Sequence, residues 1–294
     1  MPIMDARIFF RGRAAPRTRN TAAANEAEDI ATIIRAINMR TPAGLKILTA
    51  FKDRFGEEAS EARARMGTSR GTHYDFELKV RETWKKVEHK GGQAYCLPNA
   101  DDAPWKAGVQ FHNGGCEKYS LAHKYAQVWY AMYIESGSLH EEFGIDAPTP
   151  SFSEWFMKDC KAQDDPKTPF GKQLKSVVRE RRGTNASLRE KRADVLAALE
   201  VTDEDKAVLI AEVLPIANHA LDQKEHWLSI HGSLDGDFHA VWYPQFRIES
   251  IQDVVIEKNR DLDLTFLCAN NFTFRAILRW GKGAGFSNLR MDLK

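Results

Sequence analysis

The chain has 294 residues, room for one large domain or two smaller ones, and its 43% hydrophobic and 28% charged residues are typical of a soluble globular protein. No apolar run approaches the length of a membrane span and no secretory apolar segment stands out, so neither a transmembrane helix nor export is expected. Lys plus Arg (42) nearly balance Asp plus Glu (41), which excludes a wholesale basic coat but leaves room for a local basic surface.

The first twenty residues carry Arg7, Arg11, Arg13, Arg17 and Arg19 against the single acid Asp5. Such a start reads either as a transit segment or as a basic arm that follows phosphates; Ile8, Phe9 and Phe10 give it an apolar anchor, which favours an ordered or DNA-contacting arm. Apolar residues at Ile30, Ile33, Ile34 and Ile37 predict a helix over 25–38. Thr41-Pro42 predicts an N-cap and first turn for a second helix through Leu45, Ile47, Leu48 and Phe51, interrupted near Gly56. Glu57 to Met66, rich in Ala, Glu and Arg, is expected to continue as helix.

Gly67 and Gly71 bracket a loop that leads into two short strands, His73 to Val80 and Lys85 to Gly92. In the first, Asp75, Glu77 and Lys79 share one face and Phe76, Leu78 and Val80 the other. In the second, Glu88 and Lys90 lie side by side with His89 turned away. If the strands pair, Asp75 faces Glu88 and Lys90, so that two carboxylates and an ammonium converge. Carboxylates are hard oxygen ligands suited to Mg²⁺, and a lysine beside them can stabilise phosphorane charge or orient a water.

Asp75, twelve intervening residues and then Glu88-His89-Lys90 resemble the signature of the PD-(D/E)xK nucleases, the family that includes most type II restriction endonucleases. The likeness spans about 20 residues, and Tyr74 stands where that signature has proline. It implies a restriction-endonuclease-like α/β (α+β) fold, a mixed central sheet flanked by helices, here with helical and C-terminal β-rich additions. It also implies Asp75 and Glu88 as metal ligands for one or two Mg²⁺ ions and Lys90 at the attacking water and scissile phosphate. Glu61, placed on a preceding helix, is a candidate auxiliary acid, with Gln93 and His89 as further contacts. Amide substitutions of Asp75 and Glu88 are expected to leave the fold intact, as exposed polar swaps do. Two other readings of the same residues stand beside this one. Glu77-Leu78-Lys79 is also an acid-x-lysine triplet, which would need Glu58 or Glu61 as its first acid; and alternating charge on a strand is also the pattern of a plain solvated hairpin.

Beyond Gly92, Val109, Phe111 and Gly114-Gly115 suggest a strand and turn, and Glu117 to Ile134 reads as a helix with Leu121, Tyr125, Val128, Trp129 and Met132 near one core-facing stripe. Cys96, His112, Cys116 and His123 are conceivable zinc ligands, but widely spaced core cysteines are the preferred reading. Residues 136–171, with four prolines at 148, 150, 166 and 169, are expected to be a loop-rich insertion or boundary around one short helix near Trp155. This divides the chain into 1–135, helices plus catalytic core; 136–171; and 172–294, a basic helical segment followed by β structure packed on the core.

Residues 172–192 hold eight basic residues opposed only by Glu180 and Glu190, interrupted at Gly183-Thr184-Asn185. Arg179, Arg181, Arg182 and Asn185 are candidate DNA contacts, against the alternative of a solvated helix face. Ser187 to Leu228 reads as helical, with Pro215 kinking or ending a turn. From Phe238 onward strands are expected at 239–242, 246–248, 262–267, 272–280 and 286–293, with Lys282 in a glycine-rich turn as another phosphate contact.

The expected function is a Mg²⁺-dependent endonuclease of double-stranded DNA, similar to type II restriction enzymes, working as a homodimer without membrane association in the cytoplasm of a prokaryotic or phage system. The alternatives are a structure-specific repair or phage nuclease of the same fold, and a non-catalytic DNA-binding protein.

Overall fold

A computed structural model describes residues 21–66, 74–91, 112–162, 165–180, 184–232, 238–269, 273–281 and 288–293. Among these the fold is mixed α+β, with eight α-helices and two five-stranded sheets. The chain forms two units, each built from two separated segments: 1–109 with 218–247, and 110–217 with 248–294. Residues 136–171 are where the sequence reading set a loop-rich insertion or boundary. Those residues lie within the second unit, and the chain returns to the first at Asn218 because its sheet is completed by strands far along the sequence.

The first unit begins with α1 (Thr21–Asn38) and α2 (Pro42–Phe55), as the isoleucine spacing and the Thr41 cap predict. The Thr41 hydroxyl accepts the Gly44 N–H at 3.2 Å, and Gly56 ends α2 in the left-handed region at φ 68°. Gly44 is required by contact: a Cβ there would meet the Ala36 carbonyl oxygen of α1 at 2.0 Å.

Its sheet has the order β1 (Ala59–Ala64), β2 (Phe76–Val80), β3 (Thr83–Gly91), β5 (His226–Gly232), β6 (Phe238–Pro244). All neighbours are antiparallel except β3 and β5, which run parallel. The sheet is thus mixed, as expected. One face carries Phe76, Leu78, Val80, Val87, Leu228, Ile230 and Trp242 against Ile33, Ile37, Ile47, Leu48 and Phe51 of the helices. Burying each such side chain contributes about 1.5–3 kcal/mol before entropy is counted. The Trp242 indole N–H is satisfied by the Ile47 carbonyl at 3.1 Å.

Two elements differ from the sequence reading. Residues 59–64 form a strand, not a helix. Ala59 and Ala62 are buried under the helices, and the Asn38 side chain pairs with Ala62 as another strand would: its amide donates to the Ala62 carbonyl and its oxygen accepts the Ala62 N–H, both at 2.8 Å. Tertiary pairing here overrides the helical propensity of an Ala-Glu-Arg segment. The helix expected through Leu228 ends instead at Asp222, and β5 follows from His226; Pro215 stays inside the helix.

In the second unit β4 (His112–Gly115), β7 (Ile251–Lys258), β8 (Leu262–Cys268), β9 (Thr273–Trp280) and β10 (Leu289–Leu293) form an antiparallel sheet in the order β4-β10-β9-β8-β7. No strand covers 246–248, whereas β7, which was not expected, forms the sheet edge. The helices of this unit are α3 (Ser120–Trp129, continued by a π turn through Glu135), α4 (Ser138–Phe143), α5 (Phe152–Trp155), α6 (Pro169–Glu180), α7 (Thr184–Ala198) and most of α8 (Asp203–Asp222). Trp129, Trp155 and Trp280 cluster at centroid separations of 6.0 and 6.3 Å about Trp280, so the aromatic stripe of α3 is core.

Replacing Asn38 by Ala leaves both polar groups of Ala62 without this partner. A loss of about 1–3 kcal/mol in urea unfolding is expected, with α1 still formed by circular dichroism.

Candidate active site

β2 and β3 pair with Phe76 opposite Val87, which places Asp75 just beyond the end of β2 and level with Glu88. The Asp75 N–H donates to the Val87 carbonyl at 2.9 Å, and its carboxylate Oδ2 accepts the His89 N–H at 2.8 Å. The side chain thus continues the ladder where β2 stops, and this fixes the acid beside β3. Because side chains alternate along a strand, Val87 and His89 face the helical core while Glu88 and Lys90 face the other way. His89 is buried on its side, with Nδ1 3.3 Å from the Leu228 carbonyl, and does not join the acids.

Glu88 is 6% exposed. Lys90 Nζ lies 2.6 Å from its Oε1, and Lys224 Nζ donates to its Oε2 at 2.9 Å. These are short charge-assisted contacts. Burial pushes the Glu88 carboxyl up, but Lys90 and Lys224 more than offset it and hold it below its ordinary range. Burial pulls the Lys90 ammonium down, while Glu88 and Asp75 more than restore it. Lys224 ends below its ordinary value, with burial the dominant cause. Asp75 is raised to about 7, first by burial and then by Glu88; Lys90 and the His89 N–H act against this, and Glu26 of α1 adds to it.

Sequence reasoning therefore brought together Asp75, Glu88 and Lys90 and missed two neighbours, Lys224 and Glu26. Lys224 precedes β5, 136 residues from Glu88, and no local spacing signals it. Glu26 lies one turn before the first isoleucine of the stripe that predicts α1 and carries no distinguishing pattern. Glu61 does not join the site. It lies on β1, paired with Lys79 at 3.4 Å, level with a β2 residue four positions from Asp75, roughly 13 Å along the strand. Glu77 is buried in an ion pair with Arg63 and accepts the Tyr74 hydroxyl at 3.0 Å, so the Glu77-Leu78-Lys79 triplet serves β1–β2 pairing. The view of both acids as exposed positions is also corrected: Glu88 is an enclosed anion between two cations.

Gln93, Arg181, Arg182, Lys282 and the N-terminal arginines lie outside the described residues, as does Cys96. Asn185 is in the first turn of α7, and Arg179 is exposed near the end of α6. Within the basic run Lys175 pairs with Asp165, Lys191 with Glu142 at 2.6 Å and Arg192 with Asp261 at 3.1 Å, which reduces its free charge. Cys116, Cys160 and Cys268 are buried free thiols, and the His123 ring packs on Phe152 and Phe156.

Among the described residues no group of three His, Cys, Asp or Glu side chains is placed to hold a metal. Asp75 and Glu88 nevertheless fit Mg²⁺, which is bound through one or two carboxylates with water and substrate oxygens completing its shell. The raised Asp75 carboxyl is what a neighbouring cation would relieve. No family model, curated protein or solved structure matches the chain.

The Asp75 shift has a consequence for the protein without metal. Its carboxyl titrates near 3.8 when unfolded and about 7 when folded, so the folded state binds more protons between these values and stability falls as pH rises through the window. Asp75→Asn removes that loss and keeps an oxygen for the His89 N–H. In EDTA the variant should melt above the parent at pH 8, by a margin of roughly 1–4 kcal/mol, and match it near pH 4. A parent melting curve with no advantage for the variant at pH 8 contradicts the buried-acid geometry.

Proposed function

We propose that the protein is a Mg²⁺-dependent nuclease of the PD-(D/E)xK kind that hydrolyses phosphodiester bonds of double-stranded DNA. The observation that carries this is the convergence of Asp75, Glu88 and Lys90 on one face of a mixed sheet, with Lys90 2.6 Å from Glu88. Buried ion clusters are costly and a poor route to stability, so an enclosed set of two acids and two lysines with shifted titration favours a chemical role. Helices α1 and α2 ahead of the hairpin agree with the layout that the resemblance implies, while β4 and six α-helices, most of them in the second unit, separate β3 from β5.

In this reading Asp75 and Glu88 hold the ion, and Lys90 faces the scissile phosphate and the attacking water. The ion supplies Lewis-acid stabilisation of the phosphoryl oxygens and a more acidic water. Lys90 adds a positive charge where negative charge develops, in a site whose burial strengthens the interaction. Site-specific cleavage of the type II restriction kind, a homodimer and a prokaryotic or phage setting belong to the same proposal. They rest on the resemblance, as does DNA contact by Arg179, Arg181, Arg182, Asn185 and Lys282.

A second reading draws on the pairing of both Glu88 oxygens with lysines: a structural cluster in a non-catalytic DNA-binding protein. Supercoiled plasmid with Mg²⁺, with EDTA and with variants separates the two. Nicking or linearisation is expected in Mg²⁺ only. It should be lost in Asp75→Asn, reduced about 100-fold or more in Lys90→Ala, and little changed in Lys79→Ala. Cleavage that survives Asp75→Asn, or that fails in Lys79→Ala rather than Lys90→Ala, contradicts the assignment.

A further inference from the structure

We infer that Lys224 sets the metal affinity and the charge of the Asp75–Glu88 site, as a fixed buried ammonium on one side of Glu88 opposite an exchangeable one, Lys90. The inference rests on the nuclease reading and deepens it.

The two lysines on Glu88 differ in how they are held. The Lys90 side chain is 18% exposed and lies near the end of β3. The Lys224 side chain is 2% exposed and its surroundings are pinned from both sides. Its own N–H donates to the Leu221 carbonyl at 2.9 Å. The next residue, Glu225, accepts the Lys86 N–H at 2.9 Å and pairs with Lys85 at 3.0 Å, fastening the α8–β5 connection to β3. The Trp227 ring lies 5.5 Å from the Lys224 ammonium, and Trp227 is level with Glu88 in the parallel β3–β5 register. Withdrawing Lys224 would disrupt this frame, whereas Lys90 can turn outward along β3. A cation sharing Glu88 therefore takes the Oε1 side from Lys90, and Lys224 stays on Oε2.

Charge then follows by addition. In the doubly anionic form that would take a metal, Asp75 and Glu88 balance the charges of Lys90 and Lys224. A dication raises the sum to two positive charges, and Glu26 subtracts one. The site is near neutral until a metal is present and positive afterwards, which couples metal uptake to attraction of a phosphodiester. Lys224 is a positioning residue in this scheme: it repels the incoming cation, keeping affinity modest, and leaves a net positive charge for the substrate.

The test is Mn²⁺ titration of the full chain by calorimetry, without DNA, for the parent and for Lys224→Met, Lys224→Gln, Lys224→Arg and Asp75→Asn. Removing a unit charge beside the ion should tighten Mn²⁺ binding at least about tenfold in the Met and Gln variants, with Arg close to the parent. In Ca²⁺, the neutral variants should bind duplex DNA more weakly than the parent. Unchanged or weaker Mn²⁺ binding in folded neutral variants overturns the role of Lys224, while parent binding that Asp75→Asn abolishes keeps the nuclease reading intact. Neutral variants that do not fold overturn it too, because Lys224 would then be structural. A parent that binds no Mn²⁺ through Asp75 removes the nuclease reading and this inference together.

Discussion

The enclosure of the Glu88 carboxylate between two ammonium groups is the constraint around which the first unit is arranged. An anion 6% exposed is tolerable only if its charge is met at close range, and Lys90 and Lys224 do so at 2.6 and 2.9 Å. Those partners come from different parts of the chain. Lys90 is supplied by the alternation of β3 itself. Lys224 arrives only because β5 returns beside β3 in parallel register, after a long excursion through the second unit. The ion cluster therefore depends on the sheet being mixed, and on the helices that bury its opposite face.

The same packing explains why Asp75 behaves differently from Glu88. Both are acids at the same level of the hairpin, but Asp75 sits where β2 ends and uses its side chain to receive a backbone N–H. Burial and the Glu88 charge outweigh the opposing effects of Lys90 and the His89 N–H, and its carboxyl is driven up to about 7. Two acids with divergent titration beside an ammonium form an arrangement that a hard cation stabilises, which ties the fold to the proposed chemistry.

Much of this was legible locally. The isoleucine spacing of α1, the Thr41-Pro42 start of α2 and the two-residue alternation of the hairpin are short-range signals, and each led to the right element. The Asp75, Glu88 and Lys90 convergence follows from that alternation alone. What failed was set by distant partners. Residues 59–64 have helical composition and become a strand because Asn38 and β2 complete their hydrogen bonds. With β1 in place of a helix, Glu61 moved from candidate auxiliary acid to partner of Lys79. Lys224 has no sequence neighbour that marks it, and its role appears only once β3 and β5 are adjacent. The two-unit division was hidden for the same reason, since each unit is closed by strands from the far end of the chain.

The most direct measurement is a crystal structure of the protein soaked in Mn²⁺, with the ion located by anomalous scattering. The account predicts an ion held by Asp75 and Glu88, with Lys90 turned away from Glu88 Oε1 and Lys224 still on Oε2. An ion absent from this pair of acids, with both lysines retained on Glu88 at saturating Mn²⁺, would contradict it.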